Sequence, residues 1–201
     1  MKTATGFKAI AGQQQPIRLL KTLIGNKTLP HALLFTGDAG IGKRLTATAL
    51  AKACNCLTLK STLDHRLPPD AIDACGRCDP CRKIDGRHHP DIIHVAPHTS
   101  VIRIAQIREL LQALTLKPNE ADRRVVILSD AQAMNAEAGN ALLKVLEEPP
   151  DRTLMVLTAH QAADLLPTVV SRCRQMRFAP LGEKDIERLL AADGDIEPDS
   201  A

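Results

Sequence analysis

The sequence predicts an α/β fold: a parallel five-stranded sheet with crossover helices, three layers in all. Three observations carry that prediction. Short apolar runs of strand length alternate with stretches of helical spacing. The first of these runs feeds Gly37-Asp38-Ala39-Gly40-Ile41-Gly42-Lys43, a phosphate-binding-loop pattern that opens a helix. Prolines close two of the helical stretches, at Pro118 and at Pro149-Pro150, before the next strand.

In chain order, Ala32-Leu33-Leu34-Phe35-Thr36 reads as a buried strand, and a helix opens at Lys43 and runs to about Ala53. Residues 57–74, with Pro68-Pro69, read as an irregular insertion flanked by cysteines. Asp91-Ile92-Ile93-His94-Val95 is a second strand. Ile104 to Leu116 is helical, because Ile104, Ile107, Leu110, Leu111 and Leu114 share one face, and Pro118 closes it. Arg124 to Leu128 is a third strand. Asn135 to Leu146 is a helix stopped by Glu147-Glu148-Pro149-Pro150. Thr153 to Thr158 is a fourth strand and Gln175 to Phe178 a fifth, followed by a helix from about Glu183 to Ala191. The acidic tail from Asp193 is expected to fray.

The 201 residues suffice for one ordinary domain and a short extension. With 44% hydrophobic and 24% charged residues the chain can bury a core. Three Phe, no Tyr and no Trp make that core aliphatic and remove the stacking platforms of single-strand nucleic-acid binders. A net charge of +3 adds little support for direct nucleic-acid binding, so a zinc-dependent nucleic-acid binder is disfavoured. No apolar run approaches the roughly 18 residues of a membrane span. The segment Met1 to Phe7 lacks the apolar stretch of a secretory signal. The expectation is a cytoplasmic protein with no membrane partner. In a reducing compartment, six cysteines argue for metal or buried thiols rather than disulfides.

Cys75, Cys78 and Cys81 place three thiols within seven residues of polar sequence containing Gly76 and Pro80. Cys56, at the end of the preceding helix, can supply a fourth, and Cys54 is its alternative. Four thiolates around Zn²⁺ make a closed structural site that would tie the insertion to the fold. Buried hydrophobic thiols are the blander account, and an iron–sulfur cluster is the chemical rival. A ferredoxin pattern would want Cys where Asp85 stands. Cys173 reads as packed. His88 and His89 read as a solvated loop pair, and His31, His94 and His98 show no partner pattern.

The glycine loop departs from its pattern at one position. Glycines let backbone N–H groups wrap phosphates, the lysine reaches the β/γ-phosphates, and a following Ser or Thr ligates Mg²⁺. Here that residue is Arg44. The third strand should end in Asp-Glu, one acid for the metal and one for the attacking water. It ends Leu128-Ser129-Asp130-Ala131. In one register Asp130 is the metal acid and Ala131 replaces the base. In the other, Ser129 replaces the metal acid and Asp130 is the base. Either way one acid is missing. Gly37, Gly40, Gly42 and Lys43 still permit ATP or ADP, held weakly or not at all, and no Mg²⁺ site is expected.

His31-Ala32-Leu33-Leu34-Phe35, the four-cysteine insertion, Asn140-Ala141-Leu142-Leu143-Lys144-Val145-Leu146-Glu147-Glu148-Pro149-Pro150 and Ser171-Arg172-Cys173 together resemble the clamp-loader branch of AAA+ proteins. Residues 8 to 190 carry the resemblance. Within that branch the chain looks like the delta-prime subunits of bacterial DNA polymerase III. Tau/gamma motor subunits share the insertion and the Ser-Arg-Cys motif, but their phosphate loop ends in Lys-Thr or Lys-Ser and their third strand in Asp-Glu, and this chain departs at both places. The resemblance implies a degenerate AAA+ domain over residues 1–180, with the zinc insertion at about 54–90. Residues 181–201 would begin a lid domain whose collar is absent. Cys56, which follows Asn55 as in the family, is selected over Cys54. Thr158 falls where the family has a nucleotide-sensing polar residue.

The implied role is a non-hydrolysing stator that helps load the sliding clamp on primed DNA. Its partners would be tau/gamma-like motor subunits and a delta-like subunit. Arg172 would act in trans as an arginine finger. The alternative is an active motor ATPase of the tau/gamma type.

Overall fold

The computed structural model describes residues 6–62 and 67–193. Its centre is a sheet of five parallel strands: β1 (Ala32–Thr36), β2 (Ile92–Val95), β3 (Arg124–Leu128), β4 (Thr153–Ala159) and β5 (Arg174–Arg177). Their order is β2-β3-β4-β1-β5. All four pairings are parallel. Strands β3 and β4 are buried along their whole length, as expected for a parallel sheet covered on both faces by helices.

The helices are α1 (Gln14–Gly25), α2 (Lys43–Asn55), α3 (Leu57–Thr62), α4 (Asp79–Asp85), α5 (Ile104–Leu114), α6 (Ala136–Glu147), α7 (Pro167–Val170) and α8 (Glu183–Asp193). Successive strand residues face opposite sides, which divides the core in two. Leu33, Phe35, Val125, Ile127, Leu154 and Val156 pack under α1, α2, α3 and α4. Leu34, Val126, Leu128, Met155 and Leu157 pack under α5, α6 and α7. The expected three-layer sandwich is the observed one.

Most element ends fall within two residues of expectation, and the differences have physical causes. Helix α1 lies outside the elements the sequence predicts, although Ile17, Leu20, Leu23 and Ile24 form a buried helical stripe. Pro16 obscures it, yet a proline in the first turn costs no intrahelical hydrogen bond. The 57–74 segment is not irregular throughout: it contains α3 and a 3₁₀ turn at Pro69–Ala71. Leu59 and Ile72 anchor it in the core. Helix α5 ends at Leu114 rather than Leu116, and Leu116 is 70% exposed. Helix α6 is capped by Asn135, whose Oδ1 accepts from the Ala138 N–H at 2.9 Å. The one-turn helix α7, with Pro167 at its first position, was also unforeseen. The tail beyond Asp193 lies outside the described residues.

One buried and one partly buried ion pair hold the frame. Lys52 on α2, fully buried, meets Asp85 at the end of α4 at 2.6 Å. Asp91, before β2, accepts from the N–H groups of Asn119, Glu120 and Ala121 at 2.8, 2.8 and 2.9 Å. It also accepts from Arg124 Nη2 at 3.2 Å. Arg124 donates in addition to the carbonyls of Ala113, Leu116 and Lys117. This brace fixes the α5–β3 turn against the start of β2.

Candidate functional site

The glycine loop joins the C-terminal end of β1 to α2. Gly37, Gly40 and Gly42 have φ of 140°, 79° and 98°, where only glycine is unstrained. At Gly37 a Cβ would also lie 2.6 Å from the Phe178 carbonyl oxygen, so that position has no room for a side chain. Gln13 braces the loop from outside, donating to the carbonyls of Ile41 at 3.2 Å and Ala179 at 2.8 Å. It accepts from the Ala179 N–H in return. Gln13 carried no signal that sequence reasoning could use.

Lys43, the first residue of α2, is 8% exposed and folds across the loop. Its Nζ donates to the carbonyls of Gly37 at 2.6 Å and Asp38 at 2.5 Å. Burial pushes its pKa down, and the carboxylates of Asp130 and Asp38 oppose that. Asp130 therefore stands within electrostatic reach of Lys43. It is exposed, in the left-handed region at φ 55°, and its N–H donates to Thr158 Oγ1 at 3.1 Å. Thr158 is buried within β4 and ties the ends of β3 and β4 together. Ser129 is buried. Gly37, Gly40, Gly42, Lys43, Asp130 and Thr158 thus gather at the C-terminal ends of β1, β3 and β4, where open α/β sheets place their ligand crevice. Arg44 is exposed at the second position of α2. With burial and Arg87, its charge helps to hold the His94 imidazole below its ordinary pKa.

Arg172 lies elsewhere, just before β5. In the β1–β5 register Leu33 pairs with Arg174 and Thr36 with Arg177. At about 3.3 Å per residue those levels are some 10 Å apart. Arg172 lies beyond the N-terminal end of β5 and the glycine loop beyond the C-terminal end of β1, so this arginine is not brought to the chain's own loop. Its Nη1 donates to the Thr168 carbonyl at 2.9 Å and to Ser171 Oγ at 3.3 Å. Its Nη2 donates to Glu147 Oε1 at 2.5 Å. His31 sits at the same end, with Nε2 3.1 Å from the Leu146 carbonyl at the close of α6.

The Sγ atoms of Cys56, Cys75, Cys78 and Cys81 all lie within 4.8 Å of one another. Four thiolates at about 2.3 Å from a tetrahedral Zn²⁺ would stand about 3.8 Å apart, and Cys56 and Cys78 are 4.0 Å apart. Backbone N–H groups point at the sulfurs: Leu59 and Cys75 to Cys56 at 3.4 and 3.3 Å, and Cys78 to Cys75 at 3.3 Å. Such contacts favour thiolate and orient metal ligands. At Cys75 they and the Thr58 hydroxyl outweigh burial and bring the thiol down to about 6. The group can hold a metal ion such as zinc. Cys54 stands outside it, its thiol pushed up to about 11 by burial. Cys173 is buried and packed, as expected.

His89 departs from expectation. It is buried rather than solvated, because Nδ1 accepts from the Asp91 N–H at 3.2 Å inside the brace. Burial holds its pKa low.

The sheet order, the glycine loop and the crevice define an AAA+ module, and the solved structures agree. A DNA polymerase III gamma subunit-related protein from Thermotoga maritima superposes with a TM-score of 0.58 at 26% identity, over 90% of this chain and 51% of that one. The RuvB Holliday junction branch migration motor of Thermotoga maritima gives 0.61 at 12% identity, over 97% and 55%, a likeness of fold alone. The family model described as DNA polymerase III, delta subunit, matches residues 12–182, and the chain belongs to that family. Subunit delta' of DNA polymerase III from Bacillus subtilis is 36% identical over 94% of this chain and 54% of its own length. That of Pseudomonas aeruginosa is 39% identical over 78% and 45%. Subunit gamma/tau of Mycoplasma genitalium is 32% identical over 91% and 29%. The chain thus spans about half the length of the delta' relatives it matches.

Proposed function

We propose that this chain is the AAA+ part of a delta-prime-type clamp-loader subunit, a stator that does not itself hydrolyse ATP and offers Arg172 to a neighbouring motor subunit. The observation that carries the reading is the division between the two ends of the sheet. At one end the crevice keeps Lys43 and the glycines but has Arg44 after the lysine and Ser129-Asp130-Ala131 where a Mg²⁺ ATPase keeps a hydroxyl and an Asp-Glu pair. At the other end Arg172 stands on the surface, away from that crevice. An arginine so placed suits a phosphate held by another subunit. The partners on this reading are tau/gamma-like motor subunits and a delta-like subunit, with the sliding clamp and primed DNA engaged through the complex. Nucleotide, if held by Lys43 and the glycine loop, would bind without Mg²⁺. The cysteine group would hold a structural Zn²⁺ that fastens the insertion against α2, and α8 would open a lid domain.

The gamma/tau relatives, near 30% identity over most of the chain, favour a second reading as an active motor ATPase. Turnover by the purified chain decides between the two. The stator reading expects none above buffer, and the same from Lys43→Ala. Turnover that Lys43→Ala abolishes would establish the motor.

A further inference from the structure

Glu147 is a carboxylate in the last turn of α6, where the helix dipole disfavours negative charge. Its compensating partner is Arg172. The guanidinium is held from two sides, by Glu147 on α6 and by the Thr168 carbonyl and Ser171 Oγ on α7 and its cap. The two helices are locked to each other at Gly139, where a Cβ would stand 2.8 Å from Leu166 Cδ1. Three acceptors on two fixed elements leave the guanidinium little freedom. They engage part of a fork that carries five donors, so others remain for an incoming oxygen.

We infer that Glu147 is a positioning residue for Arg172: it fixes the direction of the guanidinium before a neighbouring subunit's phosphate meets it. The inference rests on the proposed trans role of Arg172. The side chains of Arg172 and Glu147 are 33% and 50% exposed. A pair so hydrated shifts an equilibrium by about a factor of five at most, too little to withhold the arginine from a triphosphate. It is enough to favour one orientation, and in catalysis orientation counts for more than affinity.

The test uses tau/gamma-type motor subunits assembled with this chain as wild type, Glu147→Gln, Arg172→Ala and the double variant. Far-UV circular dichroism melts establish that each is folded. Glu147→Gln should lower the kcat of the neighbouring site by about three- to tenfold with KM for ATP unchanged, and should have no further effect in the Arg172→Ala background. Glu147→Asp should recover part of the loss. In the isolated chain, ¹⁵N NMR should show slower rotation of the Arg172 guanidinium in wild type than in Glu147→Gln. Wild-type kcat in Glu147→Gln while Arg172→Ala is slow would overturn this inference and leave the stator standing, as would unchanged guanidinium dynamics. A wild-type rate from Arg172→Ala would remove both.

Discussion

At the level of single residues, the crevice shows what persists when a site keeps its fold. Gly37 sits at φ 140°, and a Cβ there would stand 2.6 Å from the Phe178 carbonyl oxygen. Gly37→Ala would combine backbone strain of about 1–3 kcal/mol with a steric clash, so its thermal midpoint should fall by several degrees in a circular dichroism melt whether or not nucleotide is present. These features were legible in the sequence, because glycines at that spacing before a Lys have a backbone reason. The partners of the charged groups were not. Nothing in the residue order says that Arg172 meets Glu147, 25 positions earlier, or that His89 turns inward to accept from Asp91. Those contacts arise from the crossing of elements and needed the fold. Ser129 is buried and Asp130 exposed within electrostatic reach of Lys43, a difference that residue order alone does not carry.

At the level of elements, the Asp91–Arg124 brace decides how the edge strand β2 joins the sheet. Both side chains are at least nine-tenths buried, so removing one leaves the other uncompensated. Asp91→Ala should cost about 3–5 kcal/mol in urea denaturation. Burial raises the Asp91 pKa, but three backbone N–H groups and Arg124 overcome that and hold it below the usual carboxylate range. A depressed folded pKa stabilises above the unfolded value, near 3.9, and that stability is lost as pH falls through the folded value. Stability should therefore fall steeply below about pH 4, and Asp91→Asn should flatten that fall. The strands were readable because a doubly covered parallel sheet writes itself as unbroken apolar runs. Helix α1 is hard to read from sequence despite its stripe, because Pro16 stands near its start. The insertion was misjudged because its order comes from two anchors, Leu59 and Ile72, rather than from any period.

At the level of the whole molecule, α3, α4 and the turn at Pro69–Ala71 are fastened to the sandwich by the Lys52–Asp85 pair and by the four-cysteine group. If that group carries zinc, a thiol-reactive chelator should release one equivalent, read by a colorimetric zinc dye, and lower the melting midpoint. Cys56→Ser should do the same, and Cys54→Ser should not. The arrangement as a whole separates the glycine-loop crevice from a half-buried arginine at the opposite end of the strands, and the central claim is that these two ends serve different subunits. The most direct test is steady-state ATP turnover of motor subunits assembled with this chain, wild type against Arg172→Ala, with co-elution confirming assembly. The account predicts that turnover at the site facing this chain falls by about 10³-fold or more in Arg172→Ala while assembly is unchanged. Full turnover from an assembled Arg172→Ala complex would contradict it.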